Sequence, residues 1–314
     1  VSGIPGFINM ADGDRTLQVL CLMAESFRRN FKNKVPYIAI ACKHGNPCGA
    51  AIDWDEPITV INKALLGDPI AVMGAEIMTN FEITDQISQA LYRVSEEHQA
   101  KVDREFWGVD VIFAPGFDNK AIELLGKKER RKLLANPDLT NPIMPVDEWV
   151  IRPVRGGFLR QKAPKFVFDN ESVEEWTGKN SLNQEDFATL IIAWAAAWRA
   201  DSNTIMLAKD KMLIGSGVGQ KDRTSCCDLA LLYAKRAGHS AEGSVFASDA
   251  FFPYAQKERK DAPLEGPEIL AQAGCIGGVV QAFGKNLAQV KKFFDSNNMA
   301  VAFLPKEHRG FSQH

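Results

Sequence analysis

The chain has 314 residues and a mass of 34.7 kDa, with a formal charge of −2 and a pI near 6.3. That balance argues against a general nucleic-acid or membrane-surface binder, because either needs a net basic face. A hydrophobic content of 46% and a charged content of 24% are ordinary for a globular protein, and the length predicts two lobes rather than one compact domain.

In chain order, residues 1–30 lack a charged n-region followed by an apolar core, so no signal peptide is expected. The apolar run from Val35 to Cys42 predicts a strand over Tyr37–Cys42. It delivers Lys43-His44-Gly45-Asn46-Pro47-Cys48-Gly49, whose glycines and Asn-Pro pair are turn chemistry. A helix-period segment follows Asp53. Further strands are expected at Pro69–Met73, Val109–Pro115 and Trp149–Pro153, then at Thr204–Ala208, Met212–Ser216, Cys275–Gln281 and Ala300–Leu304. Their alternation with amphipathic stretches predicts α/β layering with helices covering a sheet.

The polar stretches 127–142 and 162–183 separate two groups of strands, placing a boundary near residue 165 and lobes at 1–165 and 166–314. Gln184–Arg199 predicts a helix whose Phe187, Leu190, Ile191, Trp194 and Trp198 form an aromatic core face rather than a platform for a ligand. No internal sequence repeat is evident, and no run of about eighteen apolar residues predicts a membrane span. Six cysteines, at 21, 42, 48, 226, 227 and 275, are too thinly spread for a disulfide framework, so a reducing cytoplasm is the expected setting.

Four blocks carry candidate chemistry. Lys43-His44 sets a cation beside an imidazole at a strand end; imidazole titrates near neutrality and a neighbouring cation favours its neutral, proton-accepting form. Ile214-Gly-Ser-Gly-Val-Gly-Gln-Lys-Asp-Arg223 could cradle an anion, with Arg223 adding charge, yet it fits neither the phosphate-loop nor the dinucleotide glycine pattern, and a tight strand-to-helix turn explains it equally well. Ser248-Asp-Ala-Phe-Phe-Pro-Tyr254 sets adjacent aromatics before a proline, as core or as the wall of a planar-ligand site. In the tail from His308 to His314, Arg309 and His314 are polar groups able to close over an anionic substrate. A zinc deaminase reading of Pro47-Cys48 fails, because position 46 is Asn where the proton-shuttling Glu is needed and position 51 is Ala where the second thiolate is needed. No metal site is expected from that motif.

Together these blocks resemble the transformylase half of the bifunctional purine-biosynthesis family, aminoimidazole carboxamide ribonucleotide (AICAR) transformylase/IMP cyclohydrolase. The similarity runs from Pro5-Gly-Phe-Ile-Asn9 through Lys43–Gly49, Asp68-Pro, Met73-Gly74, Val111–Pro115, Gly156-Gly157 and Ser202-Asn203 to Ser248–Tyr254 and Arg309-Gly-Phe311. The resemblance implies two linked cytidine-deaminase-like α/β/α lobes without catalytic zinc, and active sites shared across a homodimer. It implies formyl transfer from 10-formyltetrahydrofolate to the 5-amino group of AICAR, with the nucleotide and the folate as small-molecule partners and, in some relatives, K+ held by backbone oxygens.

By the same resemblance, Lys43, His44 and Asn203 match catalytic positions. Asn9, Gly74, Asp110, Phe251, Arg309 and His314 match nucleotide-side positions. Met73, Arg223, Pro253, Tyr254 and Gln256 match the folate side. Gln256 stands where the family has an acidic residue, the block Gln281-Ala-Phe-Gly-Lys285 replaces one rich in proline and glycine, and one extra residue precedes His314. The resemblance covers neither the cyclohydrolase half nor the phosphate-binding arginine that precedes Pro5–Asn9 in the family, so IMP ring closure is not expected of this chain. These departures leave a different amine acceptor, or a nucleotide-binding relative with weak or no transfer, as alternatives.

Overall fold

The computed structural model describes residues 1–144, 149–179, 182–257 and 261–305. Its first element, α1 (Phe7–Asn30), starts where Asn9 Oδ1 accepts the Gly6 N–H at 3.1 Å. It buries Asp12, Thr16, Leu20, Met23 and Phe27 at helical spacing, a signal present in the sequence, although no helix was expected there. The strands β1 (Tyr37–Lys43) and β2 (Asn46–Asp53) form a hairpin, followed by α2 (Pro57–Leu66), β3 (Glu76–Thr79), α3 (Asp85–Tyr92), α4 (Glu96–Val102), β4 (Val111–Ala114), α5 (Asn119–Gly126) and β5 (Lys132–Ala135). A second hairpin, β6 (Trp149–Val154) with β7 (Gly157–Lys162), forms a separate two-stranded sheet.

The short β8 (Glu175–Trp176) precedes α6 (Gln184–Arg199), β9 (Ile205–Lys209), β10 (Met212–Gly217), α7 (Arg223–Arg236), β11 (Val245–Ser248), α8 (Gly266–Gln272), β12 (Gly277–Gln281), α9 (Leu287–Ser296) and β13 (Ala300–Leu304). Among the described residues, eleven strands share one sheet in the order β5-β4-β3-β1-β2-β10-β9-β11-β12-β13-β8. Within it, β2-β1-β3-β4-β5 and β10-β9-β11-β12-β13 repeat one topology. In each, the hairpin and its next strand are antiparallel and the last three strands are parallel.

The two modules meet antiparallel at β2 and β10, so the repeat that the sequence conceals is plain in the strand order. The class is mixed α/β as expected, but the strands expected to belong to two lobes run as one continuous sheet. Helices α1 and α6 cover one face with Phe27, Trp194 and Trp198; α2, α3, α5, α7, α8 and α9 cover the other. Residues of β1 alternate accordingly, with Ile38 and Ile40 on the first face and Ala39 and Ala41 on the second. Gln184–Arg199 is helical with the bounds expected, and its Trp194 and Trp198 pack in an aromatic core with Phe166.

Three expectations are corrected. Pro69–Met73 is a helical turn, because Asp68 Oδ1 accepts the Ile70 and Ala71 N–H groups at 3.1 and 2.9 Å; the strand begins at Glu76. Trp149–Pro153 is a strand, but one of the separate hairpin rather than of the main sheet. The basic stretch 127–142 contains the edge strand β5, preceded by Arg131, which is buried and donates to the carbonyls of Val109, Leu125 and Trp107. That stretch was expected to separate two groups of strands, not to supply one.

Candidate active site

Lys43 ends β1, and His44 and Gly45 are the two residues of the β1–β2 turn, both with positive φ (54° and 74°). Gly suits the second position; His44 is held in this left-handed conformation from below, where its N–H donates to Asp12 Oδ2 at 2.9 Å. Its side chain is exposed. Lys43 Nζ donates to the Met73 carbonyl at 2.6 Å, aiming the ammonium across the sheet end toward the turn that follows Asp68.

Beneath the turn lies a carboxyl pair that sequence reading did not find. Glu76, opposite Cys42 on β3, is buried and hydrogen-bonds the Asp12 side chain, while Asn9 Nδ2 donates to its Oε1 at 3.0 Å. Burial pushes the Glu76 carboxyl up to about 7 against the Asn9 amide, and the Asp12 charge adds to the rise. Asp12, set beside this raised Glu76 carboxyl, thus carries the backbone of His44. Cys48, on β2, is a protonated thiol, pushed well above its ordinary value by burial.

From the second module comes the loop between α6 and β9. Asn203 Nδ2 donates to the Gln220 carbonyl at 2.9 Å and its Oδ1 accepts from Arg223 Nη2 at 2.8 Å, which fixes the amide orientation and leaves the second N–H of Nδ2 unengaged among the described residues. Arg223 is buried and its Nη1 also donates to the Thr204 carbonyl and to Asp249 Oδ1. Asp249 in turn accepts from the Thr204 N–H at 2.8 Å and from Ser202 Oγ at 2.5 Å. The Gly-rich segment is therefore the strand-to-helix turn of its plainer reading, and Arg223 holds the loop rather than standing open to a ligand. Asn203 O and Thr204 O accept from Cys226 Sγ and from Arg223 Nη1.

The two loops are joined directly. Asn46 Nδ2 donates to the His44 carbonyl at 3.1 Å and to Asp201 Oδ2 at 3.0 Å, and Asn46 Oδ1 accepts the Asp201 N–H at 2.9 Å. Arg15 Nη1 meets Asp201 Oδ1 at 2.8 Å. Hydrogen bonds from Arg15 and Asn46 outweigh partial burial and hold the Asp201 carboxyl below its ordinary value. Asp12, Arg15, Asn46, Asp201 and Asp249 were all missed as site residues: Asn46 and Asp249 sit inside motifs read for their other residues, while Asp12 and Arg15, outside any motif, left only an i, i+3 spacing on α1 to find.

The other expected residues divide. Gly74, with φ 76°, faces Asp110, whose Oδ2 would lie 3.7 Å from a Cβ at that glycine. Asp110 Oδ1 is paired with Arg130 at 3.2 Å and Lys128 at 3.5 Å. Phe251 packs edge-on against Phe283 at 5.1 Å, over Gly284, where a Cβ would come within 2.7 Å of its ring. The replaced block after β12 thus fits this ring. Pro253 accepts from Asn286 Nδ2 at 2.7 Å.

Tyr254 separates two cavities of about 620 and 610 Å³, the first including Asp222 and Asp228 and the second including Gln256, Lys257 and Lys292. Neither is lined by Lys43, His44 or Asn203. Arg309 and His314 lie outside the described residues.

Comparison with known proteins decides the ancestry of this arrangement. A family model described as the AICARFT/IMPCHase bienzyme matches residues 2–232. The chain belongs to the AICARFT/IMPCHase family. Within it, the bifunctional purine biosynthesis protein PurH of Cutibacterium acnes is 31% identical over 259 residues, covering 82% of this chain and 44% of that protein. PurH of Thermoanaerobacter sp. strain X514 is 30% identical over 305 residues, covering 96% and 51%. The chain spans about half the length of these AICARFT/IMPCHase relatives. Among solved structures, RibD of Acinetobacter baumannii, form 1, aligns over 42% of this chain and 37% of that one at 13% identity, with a TM-score of 0.26, too low to bear on the fold.

Proposed function

We propose that this chain transfers the formyl group of 10-formyltetrahydrofolate to the 5-amino group of AICAR, giving formyl-AICAR and tetrahydrofolate in purine biosynthesis. The observation that carries the reading is the tie between Asn46 and Asp201, which sets the Lys43-His44 turn and the Asn203 loop at one end of the β2–β10 seam. The acceptor amine is a poor nucleophile, its lone pair delocalised into the imidazole ring, so orientation and proton removal supply the acceleration. The amine nitrogen bonds to the formyl carbon while His44 takes its proton. The second N–H of Asn203 Nδ2 stabilises the oxyanion. The bond from that carbon to the folate nitrogen then breaks, with Lys43 protonating the departing nitrogen.

Asn9, Gly74, Asp110, Phe251 and Arg309 belong to the nucleotide side of this reading and Met73, Pro253 and Tyr254 to the folate side, with Arg223 acting through Asn203. A homodimer with shared sites, a cytoplasmic setting and two zinc-free cytidine-deaminase-like modules go with it; the repeated topology supports the last. Formation of formyl-AICAR by the purified chain, with loss in Lys43→Ala and His44→Ala, is the expected result. Near-normal single-turnover transfer in both variants would overturn the assignment of roles.

One observation favours a second reading. The cavity beside Gln256 holds Lys257 and Lys292 with no carboxylate among its described lining residues, and Gln256 itself offers the pterin N–H donors an amide acceptor rather than a charge-assisted one. A nucleotide-binding relative that has lost folate would bind AICAR in an equilibrium titration with no detectable 10-formyltetrahydrofolate binding. Transfer to another amine with AICAR inert would point to a changed acceptor.

A further inference from the structure

Three polar side chains at consecutive i, i+3 positions of α1 reach different parts of the site: Asn9 to Glu76, Asp12 to the His44 N–H, and Arg15 to Asp201. The first two bind the helix to its own module. The third crosses the seam. Arg15 also packs along the turn itself, since a Cβ at Gly45 would stand 2.8 Å from Arg15 Cδ. On the far side Asp201 receives both Arg15 and Asn46, one on each carboxylate oxygen, and lies two residues before Asn203. The modules' strands pair through a single bridge, Met212 with Ala51, at the end of the seam away from the site, where the Ile52 N–H also donates to the Lys211 carbonyl at 3.1 Å; nearer the site, Ser216 Oγ reaches the Pro47 carbonyl at 3.2 Å. The spacing between the two loops is therefore set by side chains.

We infer that Arg15 and Asp201 are positioning residues: their ion pair, with Asn46, sets the Asn203 loop of one module against the Lys43-His44 turn of the other. The inference rests on the formyl-transfer reading for its kinetic consequence, though not for its geometry. The pair is partly exposed, with side chains 30% and 43% accessible, so its contribution to folding is small. Its contribution to placement is large, because a displacement of about 1 Å between reacting groups costs on the order of a hundredfold in rate.

The test uses the full chain, AICAR and 10-formyltetrahydrofolate, and the variants Arg15→Ala, Asp201→Ala, the double variant and Arg15→Lys. Expected are losses in kcat of roughly tenfold to a hundredfold, KM for both substrates within about threefold, and melting temperatures near that of the parent. The double variant should be no slower than the worse single one, because both remove the same contact, and Arg15→Lys should restore part of the rate by keeping the charge. Losses that multiply in the double variant, or that track melting temperature, overturn the inference, as does a kcat within twofold of the parent throughout. A parent chain inactive with these substrates refutes the proposed reaction instead. The amide and ring NMR signals of His44 and Asn203 in the ligand-free protein then decide: both should move in Arg15→Ala and in Asp201→Ala, and signals that stay in place overturn the inference.

Discussion

The β1–β2 and β9–β10 hairpins each turn through two residues of positive φ, His44 (54°) and Gly45 (74°) in the first, Asp210 (51°) and Lys211 (62°) in the second. In each, the sixth residue of the helix preceding the hairpin accepts a turn N–H: Asp12 of α1 from His44 at 2.9 Å, and Thr189 of α6 from Lys211 at 3.0 Å. Because the modules join antiparallel, these turns lie at opposite ends of the seam. At one end His44 points to solvent over a buried carboxyl pair. At the other, Lys211 is drawn to Asp53 at 3.7 Å and Glu185 at 3.6 Å, and the Asp210 carbonyl accepts from Lys63 at 2.7 Å. The same backbone device presents the Lys43-His44 pair at one end and fastens the fold at the other; side chains alone make the difference.

The sharpest way to break that comparison is to remove the reactive group. His44→Ala should lower single-turnover formyl transfer by about 10²- to 10⁴-fold with the melting temperature preserved; an equal loss in Lys211→Ala would abolish the distinction between the two ends. Next in size is Asp249→Ala, which leaves the Arg223 charge buried without its carboxylate, both residues being over nine-tenths buried. Chemical denaturation should show a loss of about 3–5 kcal/mol, and a loss below about 1 kcal/mol would refute the view that this pair fastens the Asn203 loop.

A third prediction concerns pH. The Glu76 carboxyl stands at about 7 in the folded chain against 4.5 ordinarily, so its contribution to stability is whole below 4.5 and is lost as pH rises through about 7. Between those limits the parent's melting temperature should therefore fall more than that of Glu76→Gln; parallel pH profiles would show that Glu76 does not hold the proton. The smallest effect is expected from Lys211→Ala, at about 0.2–1 kcal/mol for partly exposed ion pairs, with turnover within twofold of the parent.

Much of the scaffold was legible because burial writes itself as periodicity. The apolar runs at Tyr37–Cys42 and Ala300–Leu304 and the aromatic face of Gln184–Arg199 all fold as their patterns require. Pro69–Met73 misled because its apolar residues are wound into a turn by one Asp68 carboxylate, and β5 was missed because Arg131 satisfies its charge against buried carbonyls. In the site, Lys43 and His44 were visible as a compact motif, and Asn203 through the family resemblance. Their supports were not: Asp12 and Glu76, Arg15 and Asp201, and Arg223 and Asp249 lie 64, 186 and 26 positions apart.

By itself, then, the sequence determined the α/β class, the Lys43-His44 turn and the family to which the chain belongs, since each rests on local residue order that folding need only preserve. Only the tertiary structure decided that two modules of one topology share a sheet, and which end of their seam brings the Lys43-His44 turn beside the Asn203 loop. Those outcomes depend on side chains meeting across long chain separations, where a carboxylate such as Asp201 acquires its partners and its charge state from the fold rather than from its neighbours in sequence.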